Sequence, residues 1–227
     1  MENKIIIPLD LDYENALRLA QLLDPGICRM KIGSQLFTSS GPKVVKELQQ
    51  LGFDIFLDLK FHDIPNTVHE AIKSAADLGV WMVNVHASGG SQMLEASKKA
   101  LEQYSNPPLL IAVTVLTSLS QDSLFDLGIN NLDEHVMRLT RLAKDSGLDG
   151  VVCSSSDTES VKKEFGKEFL TVTPGIRPSG SSLDDQSRVS TPSEAIKNGS
   201  DYLVIGRPIT GSADPKKALQ AIYKEIT

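Results

Sequence analysis

Residues 54–67 read DIFLDLKFHDIPNT, from Asp54 to Thr67. The stretch opens as an apolar strand and ends in a knot of opposite charge, with Asp58, Lys60 and Asp63 inside six residues. A solvated loop carrying a surface ion pair would produce such a knot. So would a buried strand whose carboxyl end opens into an active site. The two readings require different surroundings, and the flanking sequence distinguishes them.

Seven more short apolar runs, rich in β-branched residues, accompany this one. They are KIIIPL (Lys4 to Leu9), ICRMKI (from Ile27), VWMVNVH (from Val80), LLIAVTVL (from Leu109), DGVVCS (from Asp149), FLTVTP (from Phe169) and DYLVIG (from Asp201). Continuous rather than alternating apolar character marks strands covered on both faces. Helical signals fill the gaps: Ala16, Leu19, Ala20 and Leu23 recur at helical spacing, as do Leu132, Val136, Leu139 and Ala143. TPSEAIKNG carries a cap at Thr191, proline at the first helical position, a capping-box Glu194 and a stop at Gly199. Asp214-Pro215 opens the last helix in the same way. Eight β-then-α units over residues 1–227 predict a single (β/α)8 TIM barrel domain. The doubly wound open sheet is the rival, but no GxGxxG follows the first strand.

Composition narrows the function classes. The 227 residues are 41% hydrophobic and 23% charged, with a net charge of −6. These are the proportions of a soluble globular protein, and the acidic balance argues against a nucleic-acid or anionic-membrane surface. Cys28 and Cys153 form no CxxC pair and suit a reducing, cytoplasmic setting. The apolar run in MENKIIIPLD is too short for a signal peptide, and no stretch approaches the roughly 18 apolar residues of a membrane span. His62, His69, His86 and His135 are scattered without a ligand motif, which argues against a metal site.

In a barrel, polar residues at the carboxyl ends of strands read as catalytic. Asp10, Lys31, the Asp58/Lys60 pair with Asp63 beyond it, Asn84 and His86, Thr117 and Ser118, Ser154, Arg177, and Gly206 with Arg207 all fall there. Taken singly, several have plain readings: His86 as a hydrogen-bonded structural histidine, Asn84 as a buried, satisfied amide, Ser154 to Ser156 as cap chemistry. The charged set on strands two and three differs. Side chains two apart on a strand share a face, with Cα atoms roughly 6.5 Å apart, so Asp58 and Lys60 project together. Lysines and aspartates meeting at one rim cost more to assemble than Leu or Ile would, which favours function over stability. After strands seven and eight, TPGIRP and VIGRPIT supply glycines that let backbone approach an anion, and Arg177 and Arg207 as forked donors. Gln186 adds an amide in the long polar loop from Gly175 to Arg188. Two such loops in these positions favour a phosphorylated substrate.

DLKFHDIPNTV, preceded by PLD and MKIGSQLF and followed by TVLTS, TPGIRP, DQSR and IGRPIT, closely resembles the orotidine 5′-phosphate decarboxylase family of the bacterial type. The resemblance runs the length of the chain. It implies cofactor-independent and metal-free loss of CO2 from orotidine 5′-phosphate, giving uridine 5′-phosphate. It implies Lys60 as proton donor, Asp58 beside the substrate carboxylate, and Lys31 and Asp63 completing a Lys-Asp-Lys-Asp array. It implies ribose contacts from Asp10 and Lys31, pyrimidine contacts from Thr117 and Ser118, and phosphate contacts from Arg177, Gln186, Gly206 and Arg207. Asp63 and Thr67 are then expected to serve a partner's site in a homodimer with shared active sites. The DxKxxD core is common to metal-dependent keto-sugar-phosphate decarboxylases and synthases, the main alternative. Those carry an acidic ligand near the end of strand two, where this chain has Lys31.

Overall fold

The computed structural model describes residues 3–119, 121–178 and 189–227. Eight strands occupy the eight predicted runs: β1 (Ile5–Pro8), β2 (Cys28–Gly33), β3 (Ile55–Phe61), β4 (Met82–His86), β5 (Leu109–Val113), β6 (Gly150–Val152), β7 (Leu170–Thr173) and β8 (Tyr202–Val204). Each pairs in parallel with the next, and β8 returns to β1, closing the barrel. The fold is a (β/α)8 TIM barrel. Among the described residues no helix is long and apolar enough to cross a membrane.

Helices follow each strand: α1 (Tyr13–Leu22), α2 (Ser34–Ser40), α3 (Pro42–Gln50), α4 (Pro65–Asp77), α5 (Ser91–Lys99), α6 (Gln121–Phe125), α7 (Leu132–Asp145), α8 (Ser155–Phe165), α9 (Pro192–Lys197), α10 (Arg207–Thr210) and α11 (Pro215–Ile226). Their starts are chemically determined. Asp12, Asn131, Thr191 and Asp214 each accept a backbone N–H in the first turn of the helix they precede. Ser154 and Asp157 form a capping box at α8, so Ser154 is cap chemistry, as its sequence suggests. Pro65 opens α4, which ends the β3 segment abruptly and leaves Asp63 in the intervening turn.

Two apolar layers result. One lies between strands and helices. The other fills the barrel itself, with Ile6, Phe56, Met82, Ile111, Val172 and Tyr202 pointing inward. At the lower edge of this plug, Trp81 meets Tyr202 edge-on at 5.0 Å, and the Arg29 guanidinium lies 4.1 Å over Trp81 while pairing with Asp54. Three aspartates stand one residue ahead of a strand at this end: Asp54, Asp149 and Asp201. Asp149 accepts the Leu110 N–H at 2.7 Å and the Lys98 ammonium at 3.0 Å. Asp201 accepts the Thr171 N–H at 2.7 Å and the Lys162 ammonium at 2.6 Å, and that ammonium also donates to the Lys167 and Phe169 carbonyls. These carboxylates tie each strand's start to its neighbour, and Asp149 and Asp201 also to a helix, at the end of the barrel away from the candidate site.

Removing Asp201 would strand a mostly buried ammonium and free the Thr171 N–H. Asp201→Ala should cost on the order of 2–4 kcal/mol. In thermal unfolding that corresponds to a melting temperature lower by roughly 5–10 °C. A loss of under about 1 °C would remove this network from any stabilising role.

Candidate active site

The carboxyl ends of the strands surround a cavity of about 680 Å³, a volume suited to a nucleotide-sized ligand. Its floor is the upper surface of the apolar plug, with Phe56, Val113, Val152, Val172 and Val204. Its walls carry most of the predicted residues: Asp10, Lys31, Asp58 and Lys60 on one side, Thr117 and Ser118 after β5, and Gly175, Arg177, Gly206 and Arg207 after β7 and β8. The barrel register brings them together, since Lys31 lies opposite Pro8 and Phe56, and Gly33 opposite Asp58.

Asp58 is the centre of the charged wall. It is buried, and both its oxygens are used. Oδ2 accepts the Lys31 ammonium at 2.9 Å, and Oδ1 accepts the Lys60 ammonium at 2.7 Å. Burial alone would push its carboxyl up, but the Lys31 and Lys60 charges outweigh burial and hold it below the usual carboxylate range. Asp58 is therefore ionised at neutral pH. Lys31 is buried and lies 3.8 Å from Asp10, whereas the Lys60 side chain is 37% exposed and faces the cavity. The chain by itself assembles Asp10–Lys31–Asp58–Lys60.

Two expectations are refined here. Asp58 and Lys60 do meet, but not through regular strand alternation. Lys60 has φ +51°, the left-handed region, and the β3–β4 pairing jumps from Leu57–Val83 to Phe61–Val85. Asp63 takes no place in the cavity wall of its own chain. It is exposed in the β3–α4 turn, and its Oδ1 accepts the Ile64 N–H at 2.6 Å. Thr67, in the first turn of α4, is likewise exposed and outside the cavity wall. Gln186 lies outside the described residues.

At the other wall, Arg177 is buried and donates to the Ile176 carbonyl at 3.0 Å. Arg207 is exposed at the start of α10. Gly175 has φ +77°, which a side chain would strain. Gly206 packs so closely on β1 that a Cβ would lie 3.0 Å from Pro8 Cγ. Among the described residues no three His, Cys, Asp or Glu side chains gather in a way that could hold a metal ion.

The residue that sequence reasoning undervalued is Asn84. It is fully buried on β4, accepts the Lys60 N–H at 2.8 Å and donates to Asp58 Oδ1 at 2.6 Å. The available signal was an amide inside the apolar run VWMVNVH, at a strand's site end. His86, two residues on, is half-buried with its ring centroid 5.5 Å from that of His62. Burial, then the neighbouring His62 and Lys60, push its pKa below 6.5 against a weaker opposing pull from Asp58.

The sequence matches the orotidine 5′-phosphate decarboxylase / HUMPS family over residues 3–222. It is 56% identical over 225 residues to an orotidine 5′-phosphate decarboxylase of Saccharophagus degradans, covering 98% of this chain and 94% of that one. It is 55% identical over 230 residues to the enzyme of that name from Vibrio vulnificus, covering 100% and 99%. Among solved structures, the orotidine 5′-phosphate decarboxylase of Lactobacillus acidophilus superposes with a TM-score of 0.88 at 42% identity, over 100% of both chains.

His86 gives the site a pH signature. Its folded pKa lies below the ordinary histidine value of 6.5, so the unfolded chain takes up the proton more readily. Stability should therefore fall as pH drops below 6.5 toward the lower folded value. His135, depressed by burial and by Arg138, adds in the same direction. Urea midpoints at pH 7.5 and 5.5 should show the fall, and His86→Asn should reduce it. An unchanged slope in His86→Asn would assign the effect elsewhere.

Proposed function

The chain belongs to the orotidine 5′-phosphate decarboxylase / HUMPS family, and we propose that it catalyses the cofactor-independent decarboxylation of orotidine 5′-phosphate to uridine 5′-phosphate and CO2. This is the last step of de novo pyrimidine nucleotide synthesis, and the protein is a carboxy-lyase. The observation that carries the reading is the buried Asp58 carboxylate held between the Lys31 and Lys60 ammoniums at 2.9 and 2.7 Å, at the mouth of a cavity with two arginines on its far wall.

In this reading the phosphate binds Arg177 and Arg207 with the Gly206 backbone, Gln186 joining from the loop. Thr117 and Ser118 read the pyrimidine, and Asp10 and Lys31 hold the ribose. The C6 carboxylate then lies against Asp58, where like charges oppose each other. The C6–carboxylate bond breaks, CO2 departs, and the electron pair remains on C6. Lys60 stabilises that pair and transfers a proton to C6, becoming a neutral amine that bulk water reprotonates. The phosphate contacts lie far from C6, so their binding energy is free to drive closure and desolvation. A metal-dependent keto-sugar-phosphate reaction is the second reading. Lys31, where that chemistry would need an acidic ligand, weighs against it, as do relatives above half identity that bear the decarboxylase name.

We further propose a cytoplasmic homodimer in which Asp63 and Thr67 complete the partner's site beside Lys60. Their exposure outside their own cavity supports this, as does Ile64, an apolar side chain 67% exposed next to Asp63. The buried free thiols of Cys28 and Cys153 suit a reducing compartment.

Orotidine 5′-phosphate should be turned over in excess EDTA, followed by the absorbance change on CO2 loss, and Lys60→Ala should lower kcat by about 10³-fold or more. Inactivity there, together with magnesium-dependent activity on a keto-sugar phosphate, would transfer the assignment to the second reading. Mixing inactive Lys60→Ala and Asp63→Ala chains should restore part of the activity, because one site of each hybrid dimer is intact. Hybrid dimers that form and stay inactive would refute sharing.

A further inference from the structure

The β3–β4 ladder skips at the site. Leu57 pairs with Val83 and Phe61 with Val85, so four steps on β3 match two on β4. Asp58, Leu59 and Lys60 are left opposite Asn84 alone. Lys60, at φ +51°, is the one non-glycine residue with positive φ among the described residues. Such a backbone persists only where its surroundings over-determine it, and the N–H that the bulge withdraws from the ladder needs a buried acceptor.

Asn84 supplies both. Its backbone stays in register with Ile111 on β5, while its side chain reaches across the bulge. Oδ1 accepts the Lys60 N–H at 2.8 Å, and Nδ2 donates to Asp58 Oδ1 at 2.6 Å. The amide cannot be reversed. A backbone N–H only donates, so the oxygen must face Lys60 and the NH2 must face Asp58. An NH2 there requires an acceptor, which is the ionised carboxylate. That same Oδ1 receives the Lys60 ammonium at 2.7 Å. One buried amide thus fixes the backbone from which Lys60 grows and the carboxylate that its ammonium is held against.

We propose that Asn84 is a positioning residue for the decarboxylation, setting the aim of Lys60 and the ionised, oriented state of Asp58 without touching the substrate. The inference rests on the proposed function, since it concerns the proton donor of that reaction. It explains the residue type. Leucine would fill the space but orphan the Lys60 N–H, and glutamine would overreach. Aspartate would have the right shape and acceptor, but at neutral pH would set a second carboxylate against the first.

The aspartate case supplies the test. In Asn84→Asp at pH 8, kcat should fall about 10²-fold or more, with KM within about threefold because the phosphate contacts are remote. As pH is lowered toward 5, kcat should rise again: the protonated introduced carboxyl donates its O–H to Asp58, and its other oxygen accepts the Lys60 N–H. The wild type should show no such rise, and a residue acting only on stability would give none. Asn84→Ala, which restores neither bond, should lose kcat at every pH with KM largely kept, and serves if the aspartate variant fails to fold. Folded variants within twofold of wild-type kcat, or an aspartate variant whose loss is independent of pH, would overturn the inference. Wild-type turnover in the same experiment separates this from failure of the proposed function. An inactive wild type refutes the function, whereas an active wild type with unaffected variants refutes only the role of Asn84.

Discussion

Asp58 is a carboxylate taken out of water between two ammonium groups, and the upper half of the barrel is arranged around making that arrangement tolerable. Desolvating a lone carboxylate is prohibitively costly, and a single partner rarely repays it. Here the anion has three donors: Lys31 on one oxygen, Lys60 and Asn84 on the other. They come from three adjacent strands, so the cluster exists only when β2, β3 and β4 are in register. Buried charge clusters of this kind are often no more stable than well-packed apolar replacements. It stands at the cavity rather than in the plug, which supports the proposed function.

The two ends of the barrel use the same residue types for different ends. At the bottom, Asp54 pairs with Arg29 of β2, while Asp149 and Asp201 accept from backbone and cationic groups and stitch strand starts to α5 and α8. Those residues are not part of the wall of the site cavity. At the top, Asp10, Lys31, Asp58 and Lys60 line it. Between them, Phe56 and Val172 serve both layers, as members of the plug and as the floor of the site. A rigid apolar floor matters for electrostatics, because charges above it are screened less by water than they would be in a polar basin.

Much of this was legible in the sequence, and the exceptions share a cause. Continuous apolar runs locate all eight strands because a strand covered on both faces has few polar positions, and those fall near its ends. Caps such as Thr191 and Asp214 are local chemistry and therefore readable. That Asp10, Lys31, Asp58, Lys60, Arg177 and Arg207 line one cavity follows from the same strand-end geometry. What local reading could not supply was the backbone of Lys60. Two-residue alternation brings Asp58 and Lys60 to one face on paper, whereas the chain achieves it through a bulge and a left-handed residue. That conformation is imposed from β4, twenty-four residues away, by the Asn84 side chain. Asp10 occupies the outer position of the array within the chain for a similar reason: its distance to Lys31 is set by the β1–β2 register, not by sequence spacing.

The array also resolves a question of charge. A lysine that pairs with one carboxylate is locally neutralised and offers little to a developing carbanion. Asp58 is shared by two lysines, so Lys31–Asp58–Lys60 carries a net positive charge. Asp10 lies 3.8 Å from Lys31 and offsets that end of the chain. With Asp10 counted, the two lysines and two aspartates balance, and Lys60 is the more exposed of the two lysines and the one projecting from the bulge into the cavity. On a protein of net charge −6 the cavity wall nonetheless carries four cationic side chains, Lys31, Lys60, Arg177 and Arg207. Fixed dipoles and charges do not need to reorganise when an electron pair appears beside them, so in the proposed reaction the same arrangement that makes Asp58 costly to bury would serve Lys60 as proton donor.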